Sequence, residues 1–221
     1  DYKFSNYAWG DDYHIVLKEK LFALLKWIRE DSPDVKGIVC VDTSPVMDKV
    51  WAQRGGLGWI GKHTNLITKD YGSWVFLGEL ILDIDLNYDH SFDEDLCGTC
   101  MACIEACPTQ ALNEYEIDAG KCISYLTIEH RGVFEDGRSE LHDWIYGCDV
   151  CQEVCPWNQK FSVTTDADGF QPREEIFKFN NMDWNQIDEE DFRKIFKHSA
   201  VKRTKYLGLK RNINQKGSLD K

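Results

Sequence analysis

The chain has 221 residues, with 26 Lys and Arg against 38 Asp and Glu; its net charge of −12 excludes a protein that coats nucleic acid through bulk positive charge. The longest apolar stretch, Trp74 to Leu82, is broken by Gly78 and Glu79 and falls short of the roughly 18–20 residues that a membrane span requires. Nine cysteines in a chain without a secretory pattern at its start point to reduced thiols in a cytoplasmic protein, not to a disulfide scaffold.

Asp1-Tyr-Lys-Phe has no initiator Met, as expected of a fragment that begins inside a protein. Residues 13–30 read as an amphipathic helix with Leu17, Leu21, Leu24 and Ile28 on one stripe, stopped by Asp31-Ser-Pro. A short apolar strand follows from Gly37 and ends in Asp42. Ser44-Pro45 reads as an N-cap with proline at the first helical position, opening a helix to about Arg54. Gly55 to Gly61 is a glycine-rich loop, and Trp74 to Leu82 returns as a strand. From Asp83 to Asp95 lies an acidic linker with six carboxylates and no Lys or Arg. The cysteine-rich stretch spans Cys97 to Pro156. Beyond it, the run from Arg193 to Arg211 holds eight Lys and Arg and no acid, a segregation of charge that suits either a solvated face or a phosphate-bearing partner.

Cys97-x2-Cys100-x2-Cys103-x3-Cys107-Pro108 is the bacterial ferredoxin pattern in full. Three cysteines on a tight loop reach three corners of one cubane, and the fourth points to a second cluster. Cys148-x2-Cys151-x3-Cys155-Pro156 is the same motif with one position missing, which Cys122 can fill. The crossing rule then assigns Cys97, Cys100, Cys103 and Cys155 to one 4Fe–4S cluster and Cys107, Cys122, Cys148 and Cys151 to another. A triple Cys-x2-Cys run with Cys-Pro endings is a poor framework for structural zinc. Cys40, inside an apolar strand, reads as a small core hydrophobe. Asp42 lies where α/β proteins place ligands, at a strand end beside a helix start; it serves equally as a helix cap. The glycine loop lacks the order of a nucleotide-binding fingerprint. His63, His130 and His142 have no metal-ligand spacing.

Several segments together resemble epoxyqueuosine reductase, a cobalamin-dependent family of tRNA modification. They are Tyr7-Ala-Trp-Gly-x-Asp-Tyr-His14, Val41-Asp-Thr-Ser44, Ala52-x-Arg-x-Gly-Leu-Gly-Trp-Ile-Gly-Lys62, Gly72-Ser-x-x-Phe-Leu-Gly-Glu79, Cys122-Ile-Ser-Tyr-Leu-Thr-Ile-Glu129, Gly147 to Asn158 with its cysteines, Ser199-Ala-x-Lys-Arg203 and Gly208-Leu-x-Arg-Asn212. The resemblance implies reduction of epoxyqueuosine to queuosine at the wobble position of tRNA, with electrons passing from the clusters to cobalamin and then to the epoxide. Asp42 would be the proton donor. Ser5, Asp42, Leu66, Leu77, Ile81 and Ser124 would contact the corrin, and Lys202, Arg203, Lys205 and Arg211 would contact tRNA. The family also carries a segment upstream of the first match. Further expectations are a monomer, an external flavodoxin- or ferredoxin-like electron donor and no membrane. The alternatives are a two-cluster electron-transfer module of another reductase, such as one resembling the reductive dehalogenases, or a tRNA-binding adaptor. The expected fold class is α+β: a cobalamin-binding α/β portion over residues 1–88, a ferredoxin-like two-cluster domain over 89–160 and a short helical, basic tail over 161–221.

Overall fold

The computed structural model describes residues 1–134 and 140–217. Its elements follow in chain order: β1 (Lys3–Phe4), α1 (Tyr13–Asp31), β2 (Gly37–Cys40), α2 (Asp48–Arg54), β3 (Trp59–Ile60), β4 (Leu66–Ile67), β5 (Glu79–Leu82), α3 (Ala102–Glu105), β6 (Leu112–Asn113), β7 (Glu116–Ile117), α4 (Ile123–Ile128), β8 (Trp144–Tyr146), α5 (Val150–Glu153), α6 (Pro156–Phe161), α7 (Glu174–Lys178), α8 (Asn181–Gln186), α9 (Glu189–Ile195) and α10 (Lys205–Gly217). Helix and strand are mixed, and among the described residues the strands pair two by two.

Helix α1 begins at Asp12, whose carboxylate accepts the His14 N–H at 3.0 Å. Its core stripe runs through Leu17, Leu21 and Leu25; Leu24 is exposed, so the seam advances by four residues where the sequence reading advanced by three. This stripe lies against the antiparallel pair β2–β5, near Gly37, Gly78 and Leu82. The other face of that pair carries Cys40 and Glu79 in register, then Ile38 and Ile81, whose side chains remain exposed. Two expectations need correction here. Helix α2 starts at Asp48, not at Ser44-Pro45, because Asp42 adopts a left-handed φ of 46° and the chain turns before it can wind. The return strand is confined to Glu79–Leu82; Trp74 to Gly78 has no strand partner and passes along the cleft described below.

The hairpin β3–β4 supplies Trp59 and Ile67 to a small core shared with Cys155, Leu96 and Trp157. Gly58 is needed there, since a Cβ at this position would strike the Ile67 carbonyl. The glycine loop is thus accounted for by backbone packing.

The principal core draws on all three sequence segments. Phe4 and Ala8 from the start, Ile145 and Tyr146 from β8, and Trp184, Phe192, Phe196, Val201, Leu209 and Ile213 from the last third form one buried cluster. β1 pairs with β8 in parallel. Buried Asn212 ties α10 to this core, donating from Nδ2 to the Thr127 carbonyl at 2.8 Å and the Ile145 carbonyl at 2.9 Å. Arg173 closes the far side: its guanidinium donates to the Gly10, Ile195 and Lys197 carbonyls and pairs with Asp11 at 2.5 Å. No helix among the described residues is long and apolar enough to cross a membrane.

Candidate active site and cluster-binding loops

The cysteine motifs fold as short loop-and-helix units. Cys103 lies in α3 and Cys151 in α5, while Cys122 and Cys155 stand at the N-caps of α4 and α6. The thiols act on one another in groups. Burial pushes Cys103 up, and Cys97, Cys155 and Cys100 raise it further. Burial pushes Cys148 up to about 12, with Cys122 and Cys107 adding to the shift. Cys151, likewise raised by burial, feels Cys148, Cys122 and Cys107, and also Cys103 across the gap between the groups. Several N–H donors face these sulfurs. Ala111 N–H donates to Cys107 Sγ at 3.3 Å and Trp59 Nε1–H to Cys97 Sγ at 3.5 Å, while the Val150 N–H faces Cys148 and those of Trp157 and Asn158 face Cys155. Converging thiols with N–H donors aimed at them suit anionic sulfur, and so they fit cluster ligation.

The second centre is an open cleft of about 480 Å³ lined by Tyr7, Tyr13, Asp42, Met47, Asp48, Lys49, Phe76 and Leu77, with three valines. Asp42 stands at its edge, more than half exposed. The Tyr13 hydroxyl donates to Asp42 Oδ2 at 2.7 Å, and His14 Nε2 lies 3.3 Å from the same oxygen, its Nδ1 being 2.8 Å from Asp12. Burial and the Asp42 carboxylate together raise Tyr13 far above an ordinary phenol, which keeps it a donor. Tyr13 stacks on Phe76, with ring centroids 4.7 Å apart, and this fixes its direction. Behind Asp42, the carboxyls of Asp48 and Glu79 meet on the face of β5 that points away from α1. Lys49 donates to the Thr64 carbonyl at 2.8 Å; burial pushes its ammonium down, and Asp48 and Asp42 act to raise it. The chain segment that leads into the cleft wall is bonded to the second cysteine motif, since Ser73 donates from its hydroxyl to Gln152 Oε1 at 2.8 Å and from its N–H to Asn158 Oδ1 at 2.6 Å.

Of the other corrin candidates, Leu77 lines this cleft and Ile81 is exposed beside Ile38. Leu66 is buried in β4, and Ser5 is buried with its hydroxyl donated to Asp149. Gly147 lies at φ 72° directly against the Ser5 side chain, where a Cβ would clash. Asp149 also accepts the Asn6 N–H at 2.7 Å, and burial lifts it to about 6. Ser124 lies half-buried in α4. Cys40 and His63 are buried in the packed interior; burial pushes His63 down to about 4, so it is neutral.

The basic run divides. Lys202 and Lys205 are exposed on the turn that opens α10. Arg203 forms a two-pronged pair with Glu129, at 2.9 Å from both Nε and Nη2, and its charge reaches Asp42. Arg211 departs from the expectation of a phosphate contact. Its guanidinium donates to the Leu126, His130 and Gly132 carbonyls and sits 4.4 Å from the Phe134 ring centroid, so its donors are committed inside the protein. Tyr13, His14, Asp48, Lys49 and Glu79 were not singled out from sequence, although Tyr13, His14 and Glu79 fall inside quoted motifs.

A family profile for epoxyqueuosine reductase QueG (DUF1730) matches residues 1–43, and one for a 4Fe-4S double cluster binding domain matches residues 96–158. An epoxyqueuosine reductase of Cellulophaga algicola is 51% identical over 215 residues, which cover 96% of this chain and 70% of that protein. A crystal structure of epoxyqueuosine reductase with an epoxyqueuosine-modified tRNA-Tyr stem loop superposes with a TM-score of 0.87 at 34% identity, covering 96% of this chain and 56% of the other. A Bacillus subtilis epoxyqueuosine reductase, solved with a catalytic aspartate loop swung out of its active site, gives a TM-score of 0.87 at 33% identity with the same coverage. The chain thus spans little more than half the length of these solved relatives. With half its residues identical to a relative of which it covers 70%, the chain belongs to the epoxyqueuosine reductase family.

Proposed function

We propose that this chain carries the acid and the electron-supplying centres of a reductase that converts epoxyqueuosine to queuosine in the anticodon loop of tRNA. One observation carries the reading: Ser73, two residues before the cleft-lining Val75, donates from its hydroxyl to Gln152 Oε1 at 2.8 Å and from its N–H to Asn158 Oδ1 at 2.6 Å, so the cleft wall is bonded to the loop that holds Cys151 and Cys155. A proton source and a cluster-binding loop are therefore neighbours, as a reductive deoxygenation requires.

The ligand sets are Cys97, Cys100, Cys103 and Cys155 for one 4Fe–4S cluster and Cys107, Cys122, Cys148 and Cys151 for the other; the grouping of thiol shifts supports both. A cobalamin would be held over the exposed apolar face of Leu77, Ile81, Met47 and Ile38, which suits a flat, partly hydrocarbon macrocycle. When bound, these groups supply the two electrons of the reduction. The protein's own residues do the rest. The Tyr13 hydroxyl holds the Asp42 carboxyl at the mouth of the cleft with His14 beside it, and Asp42 delivers a proton to the departing epoxide oxygen. Because anticodon bases are single-stranded, the modified base can be splayed into the cleft without opening a duplex. Lys202, Lys205 and Arg203, exposed on the turn that opens α10, offer the phosphate contacts. The protein works as a cytoplasmic monomer fed by an external flavodoxin- or ferredoxin-like donor.

The test is single-turnover reduction. Protein carrying both clusters and cobalamin, pre-reduced, is mixed with an anticodon stem loop containing epoxyqueuosine, and the nucleosides are analysed by mass spectrometry. Queuosine should form in proportion to the cobalamin loaded. Cobalamin-free protein with intact clusters that yields the same product would overturn the reading.

A further inference from the structure

Removing an epoxide oxygen as water re-forms a carbon–carbon double bond and consumes two electrons and two protons. Asp42 holds one carboxyl, so a second proton must reach the same oxygen. The wall of the cleft contains a pair of groups suited to hold it. Glu79 opens β5 opposite Cys40, two residues before Asp42, and Asp48 opens α2 six residues after it. Their carboxyls meet on the same sheet face, and two of their oxygens, Asp48 Oδ1 and Glu79 Oε2, are fully buried without any N–H or O–H partner. Two carboxylates that face each other in this way favour holding a proton between them.

We propose that the Asp48–Glu79 pair stores the second proton: it passes that proton to the Asp42 carboxylate once Asp42 has protonated the departing oxygen, and the refilled Asp42 then completes the water. The pair goes from one shared proton to none and is refilled from solvent through the open cleft. The inference rests on the reading of Asp42 as proton donor. The groups facing the pair are consistent with it. Asp42 adds negative charge, Lys49 is the neighbouring cation and is itself raised by Asp48, Cys40 faces Glu79 across the strands, and Tyr13 and His14 approach Asp42 from α1. Burial and the neighbouring Asp48 push Glu79 up to about 7, so the stored proton is held near neutrality and released within reach of physiological pH. The N–H groups of Asp42 and Asp48 favour the ionised form of Asp48, which leaves the proton mainly on Glu79.

The experiment compares wild type with Glu79→Gln and Asp48→Asn, each loaded with clusters and cobalamin, in single-turnover reduction across pH. Gln preserves the hydrogen bond to Asp48 but has no proton to give. At about pH 6 the wild type should exceed Glu79→Gln by about 10-fold or more, and the two rates should converge by about pH 8.5, where the wild-type store is empty. A purely structural role for Glu79 would give a ratio that does not change with pH, and that result overturns the proposal. A second readout needs no turnover. Infrared difference spectra of folded, cluster-loaded protein should show a protonated carboxyl band that fades as pH rises through about 7, as the Glu79 shift requires, and is absent in Glu79→Gln. Its absence from wild type also overturns the proposal. Failure of wild type to reduce epoxyqueuosine at all would instead count against the proposed function, with the infrared band still deciding the pair.

Discussion

The cysteine loops and the Asp42 cleft lie next to each other, yet they are built by opposite routes. Seven of the eight cluster cysteines, all but Cys122, sit three or four positions from another within two short runs, where a tight loop alone brings sulfurs together. The cleft has no such local logic. Its lining comes from residues 7–13, 42–50 and 75–77, assembled only when α1 covers one face of the β2–β5 pair and Asp42 turns at positive φ. Metal frameworks are therefore written in spacing, whereas an acid site depends on what packing places beside each carboxyl.

The largest effect should come from breaking one of the connections in the loops that spacing does not make locally. Cys155 belongs to the second motif, yet it is buried against Trp59 and Ile67 and feels Cys97 and Cys100. Cys155→Ala should lower iron from about eight to about four atoms per chain and abolish turnover. Electron paramagnetic resonance should show that the lost cluster is the one also lost in Cys100→Ala. If Cys155→Ala and Cys148→Ala removed the same cluster, the crossed assignment would be wrong.

On the cleft side, Asp42→Asn removes the transferable proton and little else. Asn tolerates the left-handed φ that Asp42 adopts and can still accept from Tyr13, so fold, iron and cobalamin binding should persist. Single-turnover reduction should slow by roughly 10²–10⁴-fold, the range for a lost general acid. An Asn variant that matched wild type would leave Asp42 as a turn residue and move the proton donor elsewhere.

The same contrast explains what sequence could reveal. Cys97 to Cys107 announced their chemistry by spacing, and the α1 helix announced itself by its apolar period, though Leu24 was misplaced on its seam. Asp42 could be suspected because it ends a strand. Glu79 could not, because its partner Asp48 lies 31 positions away and no local pattern links them. Ser44-Pro45 misled for a related reason: a good N-cap signal lost to the left-handed turn at Asp42, which sets where α2 can begin. Arg211 misled because charge says nothing about direction. In the sequence it matches Lys202 and Lys205, and only packing turns its guanidinium inward to three carbonyls.

That division of the basic run sharpens the comparison further. Arg211→Gln should cost about 2–4 kcal/mol of stability, because charge-assisted hydrogen bonds to carbonyls at 2.8–3.1 Å and the Phe134 contact are lost together. Denaturant titration reads this directly. The salt dependence of tRNA binding should be unchanged, because those donors were never offered to phosphate. A reduced slope with unchanged stability would reverse the assignment.

The smallest effect belongs to Lys205, and it separates function from fold most cleanly. Lys205 sits at φ 63° and ψ 167°, a region that is essentially glycine's alone and costs a residue with a Cβ on the order of 1–3 kcal/mol. The sequence keeps a lysine there, exposed, at the start of α10. Lys205→Gly should therefore stabilise the protein by about 1 kcal/mol, with part of the strain relief offset by the entropy of the freer unfolded chain. Lys205→Gln keeps the strain and should leave stability unchanged. Both should lower the slope of log affinity for tRNA against log salt by about 0.7–0.9, the release of one counterion. A stabilised glycine variant that bound tRNA with the wild-type slope would show the strain to be tolerated for some reason other than phosphate. If both variants lose the slope and only glycine gains stability, the strained turn is kept for the charge that it presents.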